Sequence, residues 1–139
     1  MRPTISGLLL VLPLLSACAG NPQPGDPGYP YNLSGRYTAD FVVQGGSYRA
    51  AMDLSTAPGG ALSGIFTIDQ PTMIAGTVEG TVSADTVDFQ MPYEMVQEGC
   101  AGVVTGRSAI SVDGAGFEGP IRLDDSCNGE MEGTLTVRR

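Results

Sequence analysis

The chain of 139 residues has no histidine and no tryptophan, and its seven basic residues are all arginines, so lysine is missing too. Each absence removes a chemistry. Without imidazole there is no Ser-His-Asp triad, no histidine general base and no histidine metal ligand, and without lysine no Schiff base forms. Most enzyme designs are thereby excluded, and the chain reads as a non-enzyme that needs neither cofactor nor metal. Cationic charge is scarce as well: 15 acids give a formal net charge of −8, which argues against nucleic acid or anionic lipid as partners. Long apolar runs are also lacking. A bilayer-spanning helix takes about 20 apolar residues, whereas the run Ile5 to Leu15 is shorter and is broken by Pro13.

That run, preceded by the single charge of Arg2, reads as a signal peptide covering residues 1–17. It ends in Leu15-Ser16-Ala17-Cys18, which resembles the bacterial lipobox. The resemblance implies cleavage before Cys18, a diacylglycerol thioether on its sulfur, and lasting attachment to a membrane, since each buried methylene contributes ~0.8 kcal/mol. It places the protein in the cell envelope of a Gram-negative bacterium, and Ala19 in place of an aspartate after the cysteine implies the outer membrane. The plainer reading is a secretory signal cut after Ala17 or Ala19. Residues 18–32 carry Pro22, Pro24, Pro27 and Pro30 among glycines and polar side chains; proline disrupts helix and sheet ladder alike. This segment is expected to be an extended tether reaching up to ~40 Å at ~3.1 Å per residue. Cleavage would leave 15 acids against six arginines, a balance of −9.

Residues 33–139 form one domain by length, and its pattern is alternation. In Ile74 to Val82, the residues Ile74, Gly76, Val78, Gly80 and Val82 face one way while Ala75, Thr77, Glu79 and Thr81 face the other. The same period runs through Tyr37 to Val43, Tyr48 to Leu54, Leu62 to Ile68, Val87 to Tyr93, Val104 to Val112, Phe117 to Leu123 and Met131 to Val137. Turn signals such as Gly45-Gly46, Pro58-Gly59-Gly60 and Asn128-Gly129 separate them. No segment has a helical period. The reading is all-β: eight antiparallel strands in an up-and-down meander that closes into a small barrel and leaves no exposed edge, with a two-sheet sandwich as the alternative. Glycines recur on the apolar face, among them Gly64, Gly76, Gly106 and Gly133, where sharp curvature or close inner packing accounts for them.

In this meander Cys100 opens the sixth strand and Cys127 follows the seventh, so both fall at one end of the barrel. A disulfide between them suits an oxidising compartment; a metal pair or a catalytic thiol would need further ligands or a base. The tether enters at the opposite, proximal end. The distal end then gathers Asp69, Glu94, Glu98, Asp124, Asp125 and Glu130, and with Tyr93 these residues suggest an acidic rim as a contact surface, Tyr93, Glu94, Glu98, Asp124 and Asp125 being the candidate binding residues. Asp124 to Gly129 has oxygen side chains at alternate positions, but calcium also wants a bidentate glutamate at loop position twelve, which here is Leu135. A polar hairpin turn is the simpler account. Glu94 and Glu98 as a glycosidase pair would lack a sugar-binding cleft.

Gly35-Arg36-Tyr37 on the first strand, with Arg138 on the last, resembles the Gly-x-Trp and late arginine of the lipocalin group, with tyrosine in place of tryptophan. That likeness implies an eight-stranded barrel around a small apolar ligand, with Tyr37, Phe41, Phe66, Phe89 and Phe117 as candidate lining. The leading functional expectation is a membrane-anchored envelope lipoprotein whose acidic distal rim binds a basic protein, as an inhibitor or adaptor. Carriage of a small apolar ligand in the interior is the alternative. An interior volume of ~300 Å³ or more lined by these aromatics would favour carriage, and a packed interior would favour surface recognition.

Overall fold

The computed structural model describes residues 31–139. The signal peptide, Cys18 and all but the last two tether positions lie outside the described residues. Eight strands follow one another: β1 (Gly35–Val43), β2 (Gly46–Thr56), β3 (Ala61–Ile68), β4 (Ile74–Ser83), β5 (Thr86–Met95), β6 (Cys100–Ile110), β7 (Gly116–Asp125) and β8 (Gly129–Arg138). Each is antiparallel to the next, and β8 returns to β1 through pairs running from Thr38 with Arg138 to Val43 with Gly133. The sheet is a closed barrel in sequence order. The meander is therefore confirmed and the sandwich set aside.

Alternation builds each wall. In β4 the buried positions Ile74, Val78 and Val82 are in phase with half-buried Gly76 and Gly80, while Ala75, Thr77, Glu79 and Thr81 are exposed. Outside, the register sets opposite charges face to face: Arg36 with Asp53, Asp40 with Arg49, Asp88 with Arg107 and Arg122 with Glu132, each an ion pair. Cross-strand neighbours of this kind contribute ~0.2–1 kcal/mol and help hold register. The β1–β2 hairpin turns on Gln44 and Gly45, both at positive φ, as a tight turn matched to strand twist requires.

The alternation fails at one expected position. Val112 is 88% exposed, because β6 ends at Ile110 and the chain turns there. Ser108 takes an inward place instead, buried with no hydrogen-bond partner for its hydroxyl among the described residues.

The proximal end is sealed. Leu33 and Tyr31 are buried in the core, so the packed body reaches two residues further than a boundary at residue 33. The Leu33 amide donates to Thr56 Oγ1 at 3.0 Å and the Tyr31 hydroxyl to the Val112 carbonyl at 3.3 Å. Arg139 lies over the Tyr37 ring, 5.3 Å from its centroid, and its Nε donates to the Tyr37 hydroxyl at 3.2 Å. The arginine that meets Tyr37 is thus Arg139. Arg138, the late arginine of the lipocalin-like pattern, points outward to Asp40 at 2.6 Å, because neighbouring strand residues face opposite sides of the wall. At the distal end Cys100 and Cys127 form a disulfide with Cα atoms 5.7 Å apart, tying the start of β6 to the turn after β7.

Candidate functional site

The aromatic side chains expected inside are all buried, but they divide between two halves. Tyr37, Phe89 and Phe117 fill the proximal half, with the Phe89 and Phe117 ring centroids 6.0 Å apart. Phe41 and Phe66, 5.9 Å apart, instead line a cavity of about 330 Å³ in the distal half. Five proposed lining residues thus become two, joined by Tyr48, Tyr93, Ile68, Val104, Leu123 and Met131. Gln44, Pro71, Thr72 and Asn128 from three distal connections complete the wall.

Missing side chains make room for these rings. A Cβ on Gly76 would sit 2.5 Å from Phe66 Cε1, and one on Gly102 would sit 2.5 Å from the Tyr93 hydroxyl. Each glycine is opposite or beside a ring that leans across its strand, and it is this close approach that requires them.

One charged side chain lines the cavity. Asp125, the last residue of β7, is only 3% exposed and lines the cavity with Tyr93. The Tyr93 hydroxyl donates to Asp125 Oδ2 at 2.5 Å. Oδ1 accepts from the backbone amides of Cys127 at 2.8 Å and Asn128 at 2.9 Å, and from Asn128 Nδ2 at 3.2 Å. Burial pushes the Asp125 carboxyl up, but the hydrogen bonds from Tyr93, Cys127 and Asn128 outweigh it and hold the group below its ordinary value. For Tyr93, burial first and the hydrogen bond to Asp125 second raise the phenol well above its ordinary range. The pair is thus a carboxylate and a neutral phenol at neutral pH.

The expected five-residue rim is therefore not one surface. Glu94, Glu98 and Asp124 are exposed at the distal end, whereas Tyr93 and Asp125 are buried and face the interior. The physical reason is strand phase: β5 runs to Met95 and β7 to Asp125, so Tyr93 continues the inward series Val87, Phe89, Met91, and Asp125 continues Phe117, Ile121, Leu123. Glu98 accepts from Thr72 Oγ1 at 2.9 Å, linking two distal loops. Asp124 stands directly opposite Glu130 across the β7–β8 pair, two like charges on the outer face with no arginine paired to either among the described residues. Tyr48 and Tyr93 were both in phase with inward neighbours and could be found from the alternation. Asn128 carried no such signal, because it reaches the cavity from a turn.

Cys100, Cys127 and Asp125 bring potential metal-ligating atoms within 4.8 Å of one another, but the two sulfurs are bonded to each other and the carboxylate is held by its own turn.

These features define a small closed antiparallel barrel, packed at one end and hollow at the other. No family model matches the chain, and no curated protein matches it. Among solved structures it is similar to a redesigned β-barrel, mFAP1, solved bound to DFHBI, at 17% identity and a TM-score of 0.56, covering 75% of this chain and 94% of that one. The likeness is one of fold.

Proposed function

We propose that this protein is a non-enzymatic, lipid-anchored envelope protein that binds a small, mainly apolar ligand in the distal half of its barrel. The observation that carries the reading is the cavity of about 330 Å³ lined by Phe41, Phe66, Tyr48 and Tyr93. It falls within the ~300–1,000 Å³ of ligand sites, and it has the character of such sites, an apolar lining with few polar groups. The solved barrel it resembles in fold was itself bound to DFHBI. Anchoring through Cys18 rests on the lipobox-like sequence and the proline-rich segment behind it; the cavity lies at the end of the barrel opposite the entry into β1.

The test is native mass spectrometry of protein purified from membranes, comparing wild type with Val104→Phe, which places a ring in the cavity. A small-molecule adduct on wild type that is lost from the folded variant is expected; wild type free of adducts under all mild extraction conditions would count against carriage. Fatty-acid labelling that disappears in Cys18→Ser tests the anchor.

A second reading is favoured by the unrelieved Asp124–Glu130 opposition on the rim. Like charges placed opposite are destabilising, and a basic protein docked there would relieve them while being steered electrostatically. Its contact residues are the exposed Glu94, Glu98, Asp124 and Glu130, whose combined neutralisation should slow partner association.

A further inference from the structure

We propose that the distal cavity is selective for a small organic cation, a protonated or quaternary amine on a compact apolar body, with the ammonium group held against Asp125. The inference rests on the cavity-binding reading and names the ligand's chemical class.

Its first support is a buried charge without a countercharge. All four groups that hydrogen-bond to Asp125 are neutral: the Tyr93 hydroxyl, two backbone amides and the Asn128 amide. The described arginines are engaged elsewhere. Arg36, Arg49, Arg107, Arg122 and Arg138 pair with acids on the outer wall, and Arg139 packs on Tyr37 at the sealed end. The sequence has no lysine or histidine. A buried ion left unpaired is costly, so a cation brought to it gains the attraction without creating a new buried charge on the protein.

The carboxylate also has room. Two oxygens offer about four lone-pair sites, and Oδ1 takes three donors while Oδ2 takes only Tyr93. Oδ2 therefore accepts one more N–H, or faces a quaternary nitrogen as a point charge.

The remaining wall suits the rest of such a ligand. Phe41, Tyr48, Phe66 and Tyr93 line the same cavity, and aromatic faces attract ammonium groups, most strongly where water is excluded. On the outer face of the distal end, Asp124 and Glu130 oppose each other, and the field of these acids favours the approach of cations over carboxylates. A hard metal ion is a poorer occupant, since calcium asks for about six to eight oxygens and the lining is mainly apolar.

The test is a charge series on one body. The full chain is held in phosphatidylcholine nanodiscs, with empty nanodiscs as the blank, and titrated calorimetrically with benzyltrimethylammonium, benzyl alcohol and benzoate. The ammonium should bind about tenfold tighter than the alcohol, the scale of a desolvated cation–π contact with an added charge, and benzoate should show no saturable binding. In Asp125→Asn the ammonium and alcohol affinities should converge. Should that variant fail to fold, the wild-type series alone decides. Equal binding of ammonium and alcohol, or tightest binding of benzoate, overturns the cation selectivity and leaves the cavity reading intact. No saturable binding of any of the three overturns both.

Discussion

The two halves of the barrel are made from the same eight strands, yet one is solid and the other hollow. At the proximal end the interior places of β1, β5 and β7 hold Tyr37, Phe89 and Phe117, and the segments flanking the barrel close the opening: Leu33 and Tyr31 before β1, Arg139 after β8. At the distal end the rings of Phe41, Phe66 and Tyr93 stand around a void, and no terminal segment crosses it among the described residues. An eight-stranded barrel is just wide enough for side chains to fill or for one small ligand to fit. What decides between these outcomes is the presence of a plug. The hollow half also carries the features that hold a loosely filled end in shape, the Cys100–Cys127 disulfide and the Tyr93–Asp125 hydrogen bond.

This contrast is exposed first by truncating rings. Phe117→Ala removes a side chain packed on all sides and should cost about 3–5 kcal/mol, as deletions from a filled core do. Phe41→Ala enlarges an existing void, loses fewer contacts, and should cost clearly less. Chemical denaturation of both variants checks the pair, and equal losses would mean that the distal half is packed in solution. Next comes the disulfide. Its sequence separation is 27 residues, and closing a loop of that size stabilises by about 3.5 kcal/mol on the chain-entropy model. Cys100→Ser with Cys127→Ser should lower the melting temperature accordingly and accelerate amide exchange in the distal turns before the proximal strands. Uniform acceleration along all strands would remove the asymmetry.

Much of this architecture could be read in advance because the strand period is unforgiving: one side of a closed wall must be apolar. Eight alternating segments and their turns sufficed for the meander, and the meander put Cys100 and Cys127 at the same end. The site was harder. Tyr93 is visible in the sequence as the next inward position after Met91, but Asp125 falls among the acids of a distal loop, since a carboxylate ordinarily marks the end of an apolar series. One further step from Leu123 would have turned it inward. What phase alone could not supply is its partner, because the Tyr93–Asp125 bond crosses from β5 to β7 over β6 and depends on Gly102 having no side chain between them. The hollow itself was equally illegible. It depends on which end the termini cover, and Tyr31, Leu33 and Arg139 carry no pattern that announces a plug.

Overfilling probes the same contrast with smaller effects. Val87 is wholly buried in the proximal half, so Val87→Phe should force displacements costing about 1–3 kcal/mol. Val104 borders the cavity. Val104→Phe should be near neutral for stability while abolishing ligand binding, and a destabilisation matching that of Val87→Phe would show that the distal space does not accept a ring.

The smallest expected effect is the most specific to the hollow end. The folded state holds the Asp125 carboxyl below its ordinary 3.8, so the stability it contributes is present above that value and is lost as pH falls through the folded-state value. Tyr93 is displaced the other way, above its ordinary 10.0; its contribution is complete below that value and is lost as pH rises through the folded-state value. One hydrogen bond should therefore limit the distal end at both extremes of pH. Replacing Asp125 with Asn removes the titrating acid and the negative charge that resists phenolate formation. The acid limb of the melting-temperature profile should flatten below pH ~4, and the Tyr93 ¹³Cζ resonance should begin to shift at lower pH than in wild type. The proximal half supplies the internal control, because Phe117→Ala lowers stability at every pH without altering either limb. An acid limb unchanged by Asp125→Asn would transfer that dependence to other carboxylates, with Asp40 the first to examine, since hydrogen bonds from Arg49 and Arg138 lower its pKa on the outer wall.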